Sequence, residues 1–469
     1  MRSALFALAF AAAPAFAQEV APVPPRVVDT VNELIAEAET DDVGLNFVRD
    51  LTTQVGQRLA GSAAEKRARD WSVVELQSLG FRNVRVEDFE IPFWSRVSDS
   101  ASIVSPSPQD LVVTALGGSA PTPEGGLEAP VVRFDSLADL ELSDGRDVEG
   151  AIVFIDEGMI STMDGSGYGL AVRKRSQCAN VAAEKGAAAC LIRSVGTQPH
   201  RMPHTGIMSR PDGEAQGAAP AAALSGPDAD QLTRLLSLGE VVVNLDIQTE
   251  TLSGVPSGNV IAEVPGSTDE IVLLGCHLDS WDLGTGALDD GAGCGIVVGA
   301  AKLIDRLPGQ PKRTIRVVLY GAEEVGLFGG DAYARAHSDD LDKHVLASES
   351  DFGAGRIWRF QTNFSEGALP YARAMQRVLA PLQVTAGDNN AFGGPDIGVL
   401  RRSGVPVVTP GQDGRDYFDY HHTPDDTFDK IEPEAFRQNV AVYAAFAYLA
   451  AETGWDFRKP AEDEPAPAQ

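Results

Sequence analysis

Residues 273–293 read LLGCHLDSWDLGTGALDDGAG: one histidine and four aspartates set among glycines, directly after the aliphatic run EIVLLG that begins at Glu270. A short aliphatic run closed by glycine predicts a strand buried on both faces. The charged residues therefore begin where a strand ends, which is where open α/β sheets collect their ligands.

Outward from this point the same design recurs. TIRVVLYG (314–321) predicts a second strand, followed by Glu323 and Glu324 in AEEVGLFGG, and KHVLASES (343–350) predicts a third, followed by Asp351. A loop before the last helix, YHHTPDDT (420–427), carries His421 and His422. Helical segments such as GIVVGAAKLIDRL and AFRQNVAVYAAFAYLAAE separate the strands, so we expect an α/β fold with a mostly parallel sheet sandwiched by helices. Parallel strands align their carboxyl ends along one edge, so groups far apart in sequence converge there.

Converging carboxylates repel one another and stay ionised in a cleft only when cations compensate them. Two divalent metals would do so. Imidazole mixed with carboxylate suits zinc better than magnesium or calcium, which favour oxygen shells. Two histidines and three carboxylates suffice for a zinc pair ~3.5–4 Å apart with one carboxylate bridging, and they leave one glutamate free as general base.

The chain has 469 residues, enough for one large domain and a second unit. Its first seventeen residues carry Arg2, an apolar run too short to span a bilayer, and Ala15-Phe16-Ala17, which predicts a signal peptide (1–17) and an exported protein, periplasmic or secreted, beginning at Gln18. A formal net charge of −29 argues against nucleic acid and membrane as partners. Four cysteines, Cys178, Cys190, Cys276 and Cys294, are too scattered for a CxxC-type zinc site and allow one or two disulfides without fixing their pairing. Periodicity divides the mature chain into a first catalytic part (18–97), an insert of short strands, prolines and glycines (98–252), a second catalytic part (253–457) and a charged, Pro-rich tail (458–469) expected to be disordered.

HLDSWDLGTGALDDGAG, AEEVGLFGG, ESDFG and HHTPDDT, in this order, resemble the co-catalytic zinc exopeptidases, a family that includes the glutamate carboxypeptidases and the bacterial zinc aminopeptidases. Within it the plasma glutamate carboxypeptidase type is most similar, since LIRSVG (191–196), PHTG (203–206) and GPDIG (394–398) extend the resemblance over nearly the whole mature chain. The resemblance implies two zinc ions per chain. His277 and Asp351 would serve one zinc, or one zinc each with the other ligands; Glu324 and His422 complete the shells, and Asp289 bridges. Glu323 becomes the base and then the acid to the leaving amine, Asp279 orients His277 from behind, and the Asp289–Asp290 peptide is expected to be cis. Several relatives carry tyrosine where this chain has His421, which either donates a hydrogen bond to the oxyanion or simply packs. Cys276 is expected as a packed thiol beneath the site, with soft-metal ligation left open.

The insert resembles a protease-associated domain, which in relatives covers the cleft and restricts substrates to short peptides. Arg193, Arg210, His200 and His204 lie in it and either reach a substrate carboxylate or serve ordinary surface roles. The implied activity is hydrolysis of dipeptides or short peptides by a carboxypeptidase or dipeptidase, and the implied assembly is a homodimer. An aminopeptidase on the same metals stays open, because Glu366, Asp396, Arg401 and Asn389 offer groups for either peptide end. A single-zinc glutaminyl cyclase and a non-catalytic binding protein are the remaining rivals; the full ligand set argues against both.

Overall fold

The computed structural model describes residues 19–210 and 214–458. The expected leader (1–17) and all but the first residue of the expected tail (458–469) lie outside them.

The strand at the centre, Ile271–His277, is buried along its whole length. Because side chains alternate faces, it feeds two cores. Val272, Leu274 and Cys276 pack with the helices on one side, and Ile271 and Leu273 pack with Tyr320, Tyr333 and Leu400 on the other. The first core is built from Pro25–Ala38, Val43–Gln54, Ala292–Asp305 and Pro433–Glu452. Ala292–Asp305 has no solvent-facing stripe and is buried almost throughout, as its all-round apolar sequence requires.

Thr314–Tyr320 and His344–Glu349 flank Ile271–His277 in parallel register. Tyr320 pairs with His277 and Glu349 with Gly275, so the three carboxyl ends are nearly flush. Beyond this parallel centre the sheet turns antiparallel: Val242–Val264 runs against Thr314–Tyr320, and Ile357–Asn363 against Val407–Gln412. The sheet is therefore mixed, parallel at its centre and antiparallel beyond it.

The reason is one long ribbon. Arg82–Ser105 and Val242–Val264 pair antiparallel over most of their length and continue into a second group of strands, Leu127–Phe134, Ile152–Ile155, Ala189–Arg193 and Ala221–Leu224. Short runs such as EVVVNLDIQTE predict a strand but not one of 23 residues that passes from one core into the next. The expected insert edges at 98 and 252 both fall inside this ribbon. The second strand group packs its own core with Ser166–Glu184 and closes over the strand ends through the segments described next.

Candidate metal centre and cleft

His277 ends its strand, and its main-chain N–H donates to Asp290 Oδ2 at 3.1 Å while Gly293 N–H donates to Asp290 Oδ1 at 3.0 Å. Asp290 thus ties the strand end to the helix start and turns Asp289 the other way; the peptide between them is cis. Asp289 is steered further by Asp426, which accepts from the N–H groups of Leu288 and Asp289 at 2.6 and 3.2 Å. The loop from 278 to 286 is clamped by Arg58, whose fully buried guanidinium donates to the carbonyls of Leu278, Thr285 and Gly286.

Asp289 stands between two histidines. Its Oδ1 lies 3.0 Å from His277 Nε2 and its Oδ2 3.1 Å from His422 Nε2. His277 Nε2 also faces Asp351 at 3.4 Å, and His422 Nε2 faces Glu324 at 2.9 Å. The structure thus brings His277, Asp289, Glu324, Asp351 and His422 into one cluster. Glu323 lines the same cleft.

Each imidazole has a defined job for its other nitrogen. His277 Nδ1 lies 3.0 Å from the carbonyl of Asp279, and His422 Nδ1 lies 3.2 Å from the carbonyl of Thr205. A carbonyl only accepts, so each Nδ1 carries the proton. Each Nε2 then points a lone pair at two carboxylates, an arrangement that needs a cation between them. Against the effect of burial, Glu324 and Asp289 lift His422 to about 9, and Asp351 and Asp289 lift His277 well above its ordinary value. Burial pushes Asp289 up, yet bonds to His277 and His422 hold it well below the usual carboxylate range. Glu324 Oε1 is buried without a hydrogen-bond partner. Divalent metal held among His277, Asp289, Glu324, Asp351 and His422 would satisfy these atoms. Nitrogen with carboxylate oxygen is a donor set that zinc accepts.

Asp279 sits behind this cluster. Its carboxylate accepts from the main-chain N–H groups of Glu323 and Glu324 at 3.0 and 3.2 Å and lies 3.8 Å from His277 Nδ1. Burial, with the charge of Asp351 and Glu324 adding to it, pushes Glu323 well above the ordinary carboxyl value.

His421 stacks on His422 with ring centroids 3.5 Å apart and lies 3.5 Å from Asp289 Oδ2, facing the cleft. Burial, then the neighbouring His422, holds it well below the ordinary imidazole value, so it is neutral. His422 itself has a left-handed backbone, φ 61°, uncommon for histidine. Its carbonyl accepts from Thr205 N–H at 3.1 Å, which with the Nδ1 contact pins it in place from the second strand group.

One expectation fails here, and several open candidates find other roles. Cys276 is not a free thiol but is bonded to Cys294, and Cys178 to Cys190, because neighbouring elements bring each pair together. The insert's named candidates do not line the cleft. Arg193 is consumed by Asp156 and Asp230, Arg210 donates to the carbonyl of Val325, His200 is exposed, and His204 is buried under the carbonyl of His421, 2.6 Å from its Nδ1. Glu366, Arg401 and Asn389 are also away from the cleft wall, while buried Asp396 accepts from Gly330 N–H behind it. The cleft, about 550 Å³, is instead lined beside its acids by Tyr168, Arg175, Phe352, Trp358, Arg359 and Phe418.

Comparison with known proteins agrees with this geometry. The model of peptidase family M28 matches residues 259–447. Carboxypeptidase Q of Mus musculus is 35% identical over 405 residues, 86% of this chain and 84% of its own. The chain belongs to peptidase family M28. Membership together with the donor cluster makes it a metallo-exopeptidase. The crystal structure of a peptidase M28 precursor from Shewanella amazonensis is 51% identical, covers 93% of this chain and 99% of its own, and superposes with a TM-score of 0.90. A zinc aminopeptidase from Bacillus subtilis, 22% identical, covers 88% of this chain and 95% of its own at a TM-score of 0.63, and shares the fold.

Proposed function

We propose that this chain is an exported dizinc exopeptidase that hydrolyses dipeptides or short peptides, a carboxypeptidase or dipeptidase of carboxypeptidase Q type. The observation that carries the reading is Asp289, whose two oxygens each face an imidazole that also faces a second carboxylate. Zinc bound there would polarise the scissile carbonyl and lower the pKa of water. Glu323 takes the proton from the attacking water and returns it to the leaving amine. His421, neutral and at the cleft, donates a hydrogen bond to the developing oxyanion. Asp279 holds the main chain of Glu323 and Glu324 and backs His277. The second strand group, in the role of a protease-associated domain, closes the cleft and limits the length of peptide admitted. The leader at 1–17 supports export, and resemblance to the family supports a homodimer.

The test is mass spectrometry of the products from an unblocked tripeptide of three different residues, with zinc content measured on the same protein and a chelator-treated control. Two zincs per chain and early release of the C-terminal residue are expected. Early release of the N-terminal residue would make the chain an aminopeptidase, and one zinc with cyclisation of N-terminal glutamine would overturn the dizinc reading.

A further inference from the structure

The helix Ser166–Glu184 places Arg175 in the cleft wall. Its residue is 6% exposed, yet Nε and Nη1 have no hydrogen-bond partner, and Nη2 donates only to the Tyr168 hydroxyl, at 2.7 Å. Other buried arginines of the chain have partners: Arg313 pairs with Glu270, Arg69 with Glu65, and Arg58 with a set of carbonyls. No carboxylate among the described residues forms an ion pair with Arg175. Arginine does not give up its charge on burial, so a guanidinium held out of water with unpaired N–H groups requires an anion from outside the chain.

Its surroundings aim it at the reacting centre. The guanidinium lies over the Tyr168 ring, 5.5 Å from the centroid, and that ring stacks on Phe418 at 4.8 Å and meets His421 edge-on at 5.3 Å. Beneath the guanidinium is Gly206, where a Cβ would overlap it. Gly206 closes the PHTG segment, in which His204 supports the carbonyl of His421 and Thr205 holds both the carbonyl and Nδ1 of His422. One four-residue segment therefore fixes the histidine pair and leaves the space in which Arg175 lies. The other cation of the cleft wall, Arg359, lies over Trp358 at 4.7 Å and is less buried, with only its Nε lacking a hydrogen-bond partner.

We propose that Arg175, braced by Tyr168, binds the terminal carboxylate of the peptide and thereby directs cleavage to the C-terminal bond. A guanidinium fork matches a carboxylate in two parallel hydrogen bonds, and a peptide without acidic side chains carries that anion only at its C-terminus. The assignment rests on the metallo-exopeptidase reading and adds to it the residue that recognises the C-terminal end.

The experiment compares a neutral dipeptide with its C-terminal amide, using the zinc-loaded full chain as wild type, Arg175→Met and Arg175→Lys. Wild type is expected to favour the free acid in kcat/KM by about 100-fold. Arg175→Met should collapse that ratio toward one by raising KM for the acid with little change in its kcat, and Arg175→Lys should restore part of it. Calorimetric binding of the same two peptides to the Glu323→Gln protein gives a readout apart from turnover, with the acid binding tightly and losing that advantage when Arg175→Met is added. Removing an unpaired buried charge should leave the unfolding temperature unchanged, so a variant that unfolds early would show a structural role and overturn the assignment. So would a wild type that hydrolyses acid and amide equally, or an Arg175→Met variant whose kcat falls alike on both. A zinc-loaded wild type that hydrolyses neither overturns the exopeptidase reading itself, a different result from equal hydrolysis.

Discussion

Arg58 offers a direct test of how the metal loop is held. Its guanidinium donates to Leu278 O at 2.6 Å, Thr285 O at 2.6 Å, Gly286 O at 2.8 Å and Gly56 O at 2.9 Å, and its charge is attracted by Asp426, Asp279, Asp290 and Asp289. Arg58→Met keeps most of the side-chain volume and removes every donor. The bonds to Leu278 and Gly286 are fully buried, and each carbonyl left unpaired costs about 1–3 kcal/mol; the partly buried pair can recover water, so the loss is ~4 kcal/mol. Unfolding entropy for roughly 440 ordered residues is about 0.9 kcal/mol per kelvin, which converts the loss to a fall in Tm of ~4 °C. The fall should be larger in chelator than in excess zinc, because without metal Arg58 compensates those aspartates with less help. Differential scanning calorimetry under both conditions measures it. A variant that melts within about 1 °C of wild type in chelator would refute the idea that Arg58 organises the loop.

Glu323→Gln should lower kcat by about a hundred- to ten-thousand-fold while zinc content by plasma mass spectrometry stays unchanged; loss of zinc with activity would make Glu323 a ligand instead. His204 is held neutral by burial, at about 3 against an ordinary 6.5. Its folded value lies below its unfolded one, so its contribution is complete above pH 6.5 and declines as pH falls toward 3, by up to about 1.4 kcal/mol per pH unit. Urea unfolding of chelated wild type and His204→Asn should therefore show the advantage of wild type shrinking from pH 7 to pH 5, and a constant difference would count against a neutral buried ring. The Cys276–Cys294 bond closes a separation of 18 residues, so the double alanine variant should lose ~3 kcal/mol of stability, read by the same unfolding assay.

The metal cluster was legible because its residues announce themselves twice. His277, Glu323, Glu324 and Asp351 are polar types that a core excludes, and each follows an aliphatic run that only a buried strand explains. The residues that hold the cluster in place leave no such mark. Arg58 acts on carbonyls more than 200 positions away, and a carbonyl is the same in every residue. Asp426 is one of two adjacent aspartates in a turn, and only the fold shows that it steers Asp289. Tyr168 and Arg175 lie in GSGYGLAVRKR (165–175), where three glycines, the first of them left-handed, obscure the start of the helix Ser166–Glu184.

PHTG shows the physical limit most clearly. As sequence it is a turn with a histidine, and the histidine draws attention as a ligand for substrate. In the fold its side chain is spent beneath His421, and the segment acts mainly through main-chain atoms: Thr205 O fixes the proton on His422 Nδ1, which leaves Nε2 for a metal. A shift of this segment would therefore alter the metal ligand and, through Gly206, the arginine at the same time. If Arg175 recognises the peptide as proposed, metal affinity and peptide recognition are coupled through the second strand group, and variants that loosen its contact with residues 418–422 should weaken both together.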